Sequence, residues 1–223
     1  MDGVPDPDDC GERLELSRVR RLSQLSERLL ILAAGVYLAG VVLTVFDLNT
    51  GIRLLGSGAI LMAAWLLRYD VARRTIRQTG LPRYIAACLL LGYVWLGVGG
   101  GIGLWRGALY AGPHYAAMLH AMLLGFVFSM IFGHAPIVLP ALTGLKLDFT
   151  PVFYGHLALL HVTLIYRMYG HLALDVTAQR TSGLLNVTAV LLFIGVTVVT
   201  VVRSNWGKDG GAAPTPPQRV GTL

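Results

Sequence analysis

Residues 114–141 read HYAAMLHAMLLGFVFSMIFGHAPIVLPA, a run of 28 residues without Asp, Glu, Lys or Arg. A helix needs about 20 consecutive, mainly apolar residues to cross the hydrocarbon core of a bilayer. This stretch is therefore long enough to span a membrane. Five further apolar stretches have a similar character: 28–46, 53–68, 84–105, 151–173 and 183–203. The sequence predicts an all-α integral membrane bundle of six transmembrane helices.

The overall composition excludes several classes of protein. Hydrophobic residues make up 55% of the 223 positions and charged residues only 13%, whereas a soluble domain carries about 25% charged residues. The two cysteines, Cys10 and Cys88, are too few for a disulfide scaffold. The net charge of +6 does not indicate a nucleic-acid partner, because the basic residues flank the apolar stretches and there orient helices in the lipid bilayer.

The chain divides into three predicted parts. Residues 1–27 form a cytoplasmic N-terminal segment, in which 13–27 (RLELSRVRRLSQLSE) has the spacing of a short amphipathic helix. Residues 28–203 hold the six predicted spans. Residues 204–223 (SNWGKDGGAAPTPPQRVGTL) are rich in Pro and Gly and have no hydrophobic periodicity, so a disordered cytoplasmic tail is predicted there.

The positions of the basic residues predict the orientation of the bundle. With six spans, both termini lie on the same side of the membrane. That side carries 14 of the 18 Lys and Arg residues, and the other four are Arg53, Arg106, Arg167 and Arg180. Basic residues accumulate in cytoplasmic loops. Both termini are therefore predicted to be cytoplasmic, in a multi-pass protein of the inner cell membrane.

The histidines are concentrated on two of the six predicted spans, the fourth and the fifth. The six histidines are His114, His120, His134, His156, His161 and His171. An ionisable side chain inside a membrane is costly and is a functional candidate by default. His114 follows Gly112 and Pro113, which indicates a place in the connection outside the membrane, so the other five are the candidates.

The spacing of four histidines predicts two facing pairs. His120 and His134 are 14 residues apart, which puts them within about 40° of one face of a regular α-helix. His156 and His171 are 15 residues apart and within about 60° of one face. Because consecutive spans are antiparallel, His134 is expected opposite His156 near the cytoplasmic side and His120 opposite His171 near the outer side.

Two histidine pairs at two depths fit one or two bis-histidine haem b groups, because haem iron accepts imidazole nitrogens on both faces. Such a protein carries electrons or senses a gas or a redox state, with quinol or a redox partner subunit at the ends of the path. Arg167 lies near His171 and is a candidate to pair with a haem propionate. His161 lies on a different side of its helix, so it belongs to another site or bonds a neighbouring helix.

Two other classes of function stay open at this stage. Met118, His120 and Met122 bring together thioether and imidazole groups, which suit copper, so a copper or small-solute transporter is one alternative. Membrane histidines also hydrogen-bond across helices without a metal, so a structural or assembly subunit is the other. An enzyme activity is neither predicted nor excluded.

Two blocks of this region resemble a known group of membrane proteins. They are HAMLLGFVFSMIFGHAPIVLPALTG (120–144) and YGHLALLHVTLIYR (154–167), and they resemble the haem-binding proteins grouped near NnrS and haem-copper oxidase subunit I. The resemblance implies haem ligation by His120 and His134, with His156, His161 or His171 opposite, and sometimes a copper ion. The adjacent histidine pair and the His-x-x-x-Tyr pattern of the oxidases are absent, so oxygen or nitric oxide reduction is not implied.

Overall fold

The computed structural model of the protein describes residues 24–206. This part of the chain is all-helical and contains no strand. Seven helices lie in it: α1 (Gln24–Leu43), α2 (Leu48–Tyr69), α3 (Ala72–Thr75), α4 (Gly80–Arg106), α5 (Pro113–Thr143), α6 (Phe153–Leu172) and α7 (Val176–Asn205). Within α5, residues Ala121–Val127 form a π-helix between two α-helical portions.

Five of these helices, α1, α2, α4, α5 and α7, are long and apolar enough to cross a membrane. The predicted all-α character is therefore confirmed for the described range, and five of the six predicted spans meet the criteria of length and hydropathy. The fifth predicted span, 151–173, corresponds to α6, which is long enough at 20 residues but is not among the five apolar helices. Its 20 residues include three histidines and Arg167, and these polar side chains lower its mean hydropathy.

Two helices begin earlier than the apolar stretches indicated, because an aspartate caps each one. Asp47 accepts a hydrogen bond from the backbone N–H of Asn49 at the start of α2. Asp175 accepts bonds from the N–H groups of Thr177 and Ala178 at the start of α7. A carboxylate in this position satisfies N–H groups that have no partner within the helix. The caps let α2 begin at Leu48 instead of 53, and α7 at Val176 instead of 183.

Helices that follow each other along the chain pack side by side. Contacts join α1 to α2, α2 to α4, α4 to α5, and α6 to α7, while α6 also packs against the first half of α5. Small residues permit a close approach between α2 and α4: a Cβ at Gly100 would lie 2.7 Å from the carbonyl oxygen of Gly56. Backbone approach over small residues is the usual way in which membrane helices associate.

Most of two predicted terminal features lies outside the described residues. Of the amphipathic segment 13–27, the structure describes only the last four residues, and these form the first turn of α1. Of the predicted tail 204–223, it describes residues up to 206. Ser204 and Asn205 belong to α7, and the Asn205 side chain bonds the backbone of Lys146 in the connection between α5 and α6.

Candidate functional site

His120 and His171 face each other where α5 meets α6. Their ring centroids are 5.3 Å apart and their planes differ by 34°. His171 is only 4% exposed, and neither of its ring nitrogens has a hydrogen-bond partner among residues 24–206. A buried polar group without a partner costs free energy, about 1–3 kcal/mol for an ordinary donor or acceptor. This unpartnered imidazole is therefore the strongest indication of a ligand in the described structure.

The ring of His120 is oriented by its own helix. Its Nδ1 atom lies within hydrogen-bonding distance of the carbonyl oxygen of Ala116, one turn earlier. Since a carbonyl oxygen only accepts, the bond requires a proton on Nδ1 and leaves the Nε2 lone pair free. Metal-binding histidines commonly have this arrangement, in which the second ring nitrogen donates to a carbonyl and fixes the tautomer.

A tight connection between α6 and α7 determines where His171 lies. Leu174 has a positive φ of 57°, and the Asp175 N–H donates to the carbonyl oxygen of Gly170. A Cβ at Gly170 would lie 2.9 Å from the backbone nitrogen of Gln179. The last turn of α6 therefore lies directly against the first turns of α7, and His171 is enclosed by this packing.

A cleft of about 520 Å³ opens beside His120, between α5 and α7. Its polar lining comes from His120, Arg167 and Asn186. Its apolar lining comes from Leu124, Phe128, Val187, Val190 and Leu191. The cleft thus has the character of a site for a ligand that is mostly apolar and has a few polar atoms at one end.

Arg167 and Asn186 present unused hydrogen-bond donors at this cleft. The Nη1 atom of Arg167 donates to the carbonyl oxygen of Gln179 over 3.2 Å, but its Nε atom has no partner among the residues that the structure describes. Asn186 is 2% exposed. Its Oδ1 atom accepts from the hydroxyl of Thr163 over 2.6 Å, while its Nδ2 atom has no partner within the same range. Donors of this kind suit acceptor oxygens such as those of a carboxylate.

Within residues 24–206, no carboxylate lines the cleft, so no described acid balances the charge of Arg167 there. Gly183 on α7 leaves the space that the guanidinium occupies, because a Cβ at that position would lie 2.6 Å from Nη1. A cation at membrane depth is normally paired or faces a polar cavity. The cleft therefore favours a ligand that carries a negative charge.

The expected pair of His134 and His156 is not formed. His134 is exposed, and its Nδ1 atom donates to the carbonyl oxygen of Met130 over 2.7 Å. The π-helix between His120 and His134 explains this orientation. A π-helical segment holds one extra residue, which offsets the two ends by about 100°, so the expected 40° between the two histidines becomes about 140°.

His156 lies instead in an aromatic core. It is 2% exposed, and its Nε2 atom is 3.0 Å from the hydroxyl oxygen of Tyr84 on α4. The rings of Phe132 and Phe193 lie with their centroids 4.9 Å and 5.2 Å from it, and Phe153 also packs against it. These neighbours leave no open face of the imidazole for a flat ligand.

His161 has partners at both ring nitrogens. The indole N–H of Trp95 donates to its Nδ1 atom over 2.9 Å, and the hydroxyl of Ser129 lies 3.4 Å from its Nε2 atom. The Trp95 and His161 rings are nearly parallel, at 9°. Of the two sequence interpretations, the structure therefore shows the one in which His161 bonds neighbouring helices. His114, the sixth histidine, packs edge-on against Trp105.

Sequence reasoning missed the contribution of α7 to this site. Asn186, Gly183 and Gln179 all belong to it, and Asn186 is the only amide side chain in the apolar stretch 183–203. An amide inside such a stretch is a signal that points to a buried polar site. Across residues 24–206, no group of three or more His, Cys, Asp or Glu residues is placed to hold a metal ion.

Comparison with known proteins gives one match. The profile of a family described as "Domain of unknown function (DUF8744)" matches residues 10–202. No curated protein and no solved structure matches the chain. The match covers helices α1 to α6 completely and α7 except for its last residues.

Proposed function

Since the chain belongs to this family of unknown function, whose description gives no activity, we propose a function from the geometry of its own residues. The protein is a haem-b-binding membrane protein that holds one haem between His120 and His171 and takes part in electron transfer. The observation that carries this proposal is the pair of facing imidazoles, one of them buried with both nitrogens unpartnered.

The number of ligands favours haem over a bare metal ion. A structural metal ion such as zinc needs about four protein ligands, and the described residues offer two imidazoles and no third His, Cys, Asp or Glu beside them. Haem iron has four nitrogens from its porphyrin and needs only two axial ligands from the protein. A site with two histidines therefore suits haem, and the copper alternative lacks a third ligand of these types.

The space between the two rings is close to what haem requires. Two metal–imidazole bonds of about 2.0 Å place the coordinating nitrogens about 4 Å apart, which corresponds to ring centroids about 6 Å apart. The observed separation is 5.3 Å, so an outward movement of less than about 1 Å is needed. The adjoining cleft of about 520 Å³ with apolar walls supports the fit.

The chain's own residues then have distinct roles at this site. His120 and His171 would hold the haem iron, and the Ala116 carbonyl keeps the Nε2 atom of His120 free to bind. Arg167 and Asn186 are the donors for the carboxylates of haem, because both have an unpartnered N–H at the cleft. When bound, haem b supplies an iron that accepts and releases one electron. Quinol or a redox subunit is the proposed exchange partner.

We propose α6 as the sixth membrane span. Its 20 residues extend over about 30 Å, which equals the thickness of the hydrocarbon core. Its three histidines and Arg167 are directed toward α4, α5 and α7, inside the bundle, as are most ionisable side chains within membranes. With six spans, 14 basic residues lie on one side of the membrane, and this bias orients both termini to the cytoplasm. The membrane in question is the inner cell membrane.

The test is an optical spectrum of the protein purified in detergent, with single alanine replacements. We expect a Soret band and a reduced α-band of bis-histidine haem b in the wild type. His120→Ala and His171→Ala should lose this spectrum. His134→Ala is the matched control, because His134 lies on the same helix but is exposed, and it should retain the spectrum.

Three results would contradict the proposal. A colourless protein with bound copper would favour the transporter. A colourless protein without any metal would favour a structural or assembly role. Retention of the full spectrum in His171→Ala would show that haem binds elsewhere in the protein.

A further inference from the structure

A second cleft lies between the end of α2, the short helix α3 and the outer face of α4. Its volume is about 660 Å³. Three arginines and six apolar residues line it: Arg68, Arg73, Arg77, Ala64, Leu67, Ile76, Leu90, Leu91 and Val94. We call this cleft the basic groove. It is separate from the histidine site, because it shares no lining residue with the cleft between α5 and α7.

The positive charge of the basic groove is not neutralised by the nearest acid. Asp70 lies in the connection between α2 and α3, and each of its two carboxylate oxygens accepts a hydrogen bond from a neutral donor. One accepts from the Ala72 N–H over 2.7 Å and the other from the Tyr93 hydroxyl over 3.0 Å. Among the residues that the structure describes, no carboxylate lines the groove. Three guanidinium groups therefore line one cleft, and the single carboxylate of Asp70 offsets at most one of their charges.

The connection between α2 and α4 places these arginines above an apolar wall. Ala72 is buried at 2% exposure and anchors α3 against α4. Arg73 belongs to α3 and Arg77 to the turn that follows it, and both line the groove. Arg73 donates from Nη1 to the carbonyl oxygen of Arg68 over 3.2 Å, which keeps the two arginines adjacent.

The lower part of the groove is apolar and faces outward from the bundle. Leu91 is 39% exposed and Val94 is 50% exposed on α4. These residues lie within a helix that is long and apolar enough to cross a membrane, so their exposed surface is available to an acyl chain. The groove thus combines an anion-binding end with a hydrocarbon-binding wall.

We propose that the basic groove binds one anionic phospholipid. The guanidinium groups of Arg68, Arg73 and Arg77 bind the phosphate, since arginine presents paired donors that match phosphate oxygens. An acyl chain lies along Leu91 and Val94. Basic pockets between membrane helices on the cytoplasmic side are suited to anionic headgroups, and this end of the bundle is the one that the charge distribution assigns to the cytoplasm.

The test compares lipid binding of three forms of the full chain by native mass spectrometry from detergent. The groove variant is Arg68→Gln/Arg73→Gln/Arg77→Gln. The matched control, Arg28→Gln/Arg83→Gln/Arg203→Gln, removes the same number of charges from the same end of the bundle but from residues that do not line the groove. Each form is titrated with phosphatidylglycerol and, separately, with phosphatidylcholine.

We expect the wild type and the control to bind one phosphatidylglycerol with preference over phosphatidylcholine. The groove variant should bind it about a hundredfold more weakly, since each arginine near an anionic lipid contributes about fivefold. An excess of inorganic phosphate should not displace the lipid, because the acyl chain contributes to binding.

Equal losses in the groove variant and the control would overturn the proposal, because binding would then depend only on overall charge. Displacement by inorganic phosphate alone would show that the groove is a phosphate site and not a lipid site. Equal affinity for both lipids in the wild type would also overturn it. If the triple variant does not fold, the single variant Arg77→Glu reverses one charge of the groove and should lose the same lipid preference.

Discussion

Replacing Gly183 with alanine should displace the guanidinium of Arg167 from its position against α7. The new Cβ would lie 2.6 Å from Nη1, whereas ordinary contacts are at 3.4–4 Å. The guanidinium must therefore move by about 0.8 Å. A shift of that size stretches its 3.2 Å hydrogen bond to the Gln179 carbonyl oxygen beyond bonding range.

The expected loss in stability follows from the bond that is broken. A hydrogen bond to a charged group contributes about 1.5–3 kcal/mol. Alanine in place of glycine within a helix raises the stability of the helix by about 1 kcal/mol. Gly195→Ala is the matched control on the same helix, because a Cβ there meets nothing within 4 Å. It should therefore gain helix stability without losing a hydrogen bond.

The assay is equilibrium unfolding of both variants in detergent micelles. Gly195→Ala should be as stable as the wild type or more stable, and Gly183→Ala should be less stable than Gly195→Ala by about 1.5–3 kcal/mol. In protein that contains haem, Gly183→Ala should also release it faster with an unchanged axial-ligand spectrum. Equal stability of the two variants would refute the assigned position of Arg167.

Three further changes have defined outcomes. Trp95→Phe removes the indole donor to the buried His161 and should lower the free energy of unfolding by about 1–3 kcal/mol, without changing any haem spectrum. Deletion of Leu123 removes the extra residue of the π-helix, so the two ends of α5 should keep their relative orientation and unfolding should stay cooperative, whereas deletion of Ile131 from the regular α-helical part should rotate the remainder of α5 by about 100° and abolish cooperative unfolding. The hydrogen bond from the Thr50 hydroxyl lowers the pKa of Asp47. The stabilisation by this cap is therefore present above the unfolded pKa of about 3.9 and is lost as the pH falls through the lower folded value, so acid unfolding of Asp47→Asn should lack this component.

The helical architecture could be predicted because apolar runs of about 20 residues permit few alternatives in a bilayer. The meeting of His120 and His171 could also be predicted, since antiparallel helices with a short connection bring residues at equal distances from it to equal depth. The exception is α6. Its three histidines and Arg167 lower its mean hydropathy below that of the other long helices, so its place as the sixth span stays a prediction.

The failure of the His134–His156 pair has a different cause. Sequence spacing assumes 3.6 residues per turn throughout a helix. The residues AMLLGFV at 121–127 give no sign of a π-helix, yet that segment turns His134 away from the bundle. Gly125 explains why the distortion lies there: a Cβ at this position would overlap the Trp95 ring. Tertiary packing of α4 against α5 thus sets the local geometry, and spacing alone does not contain that information.

We propose that one pair of imidazoles, those of His120 and His171, holds one haem b in each chain. The most direct measurement is the amount of haem per chain, determined as the pyridine haemochrome of purified, haem-saturated protein. We expect one haem b per chain in the wild type and none in His171→Ala. Two haems per chain, or one haem retained after His171→Ala, would contradict it.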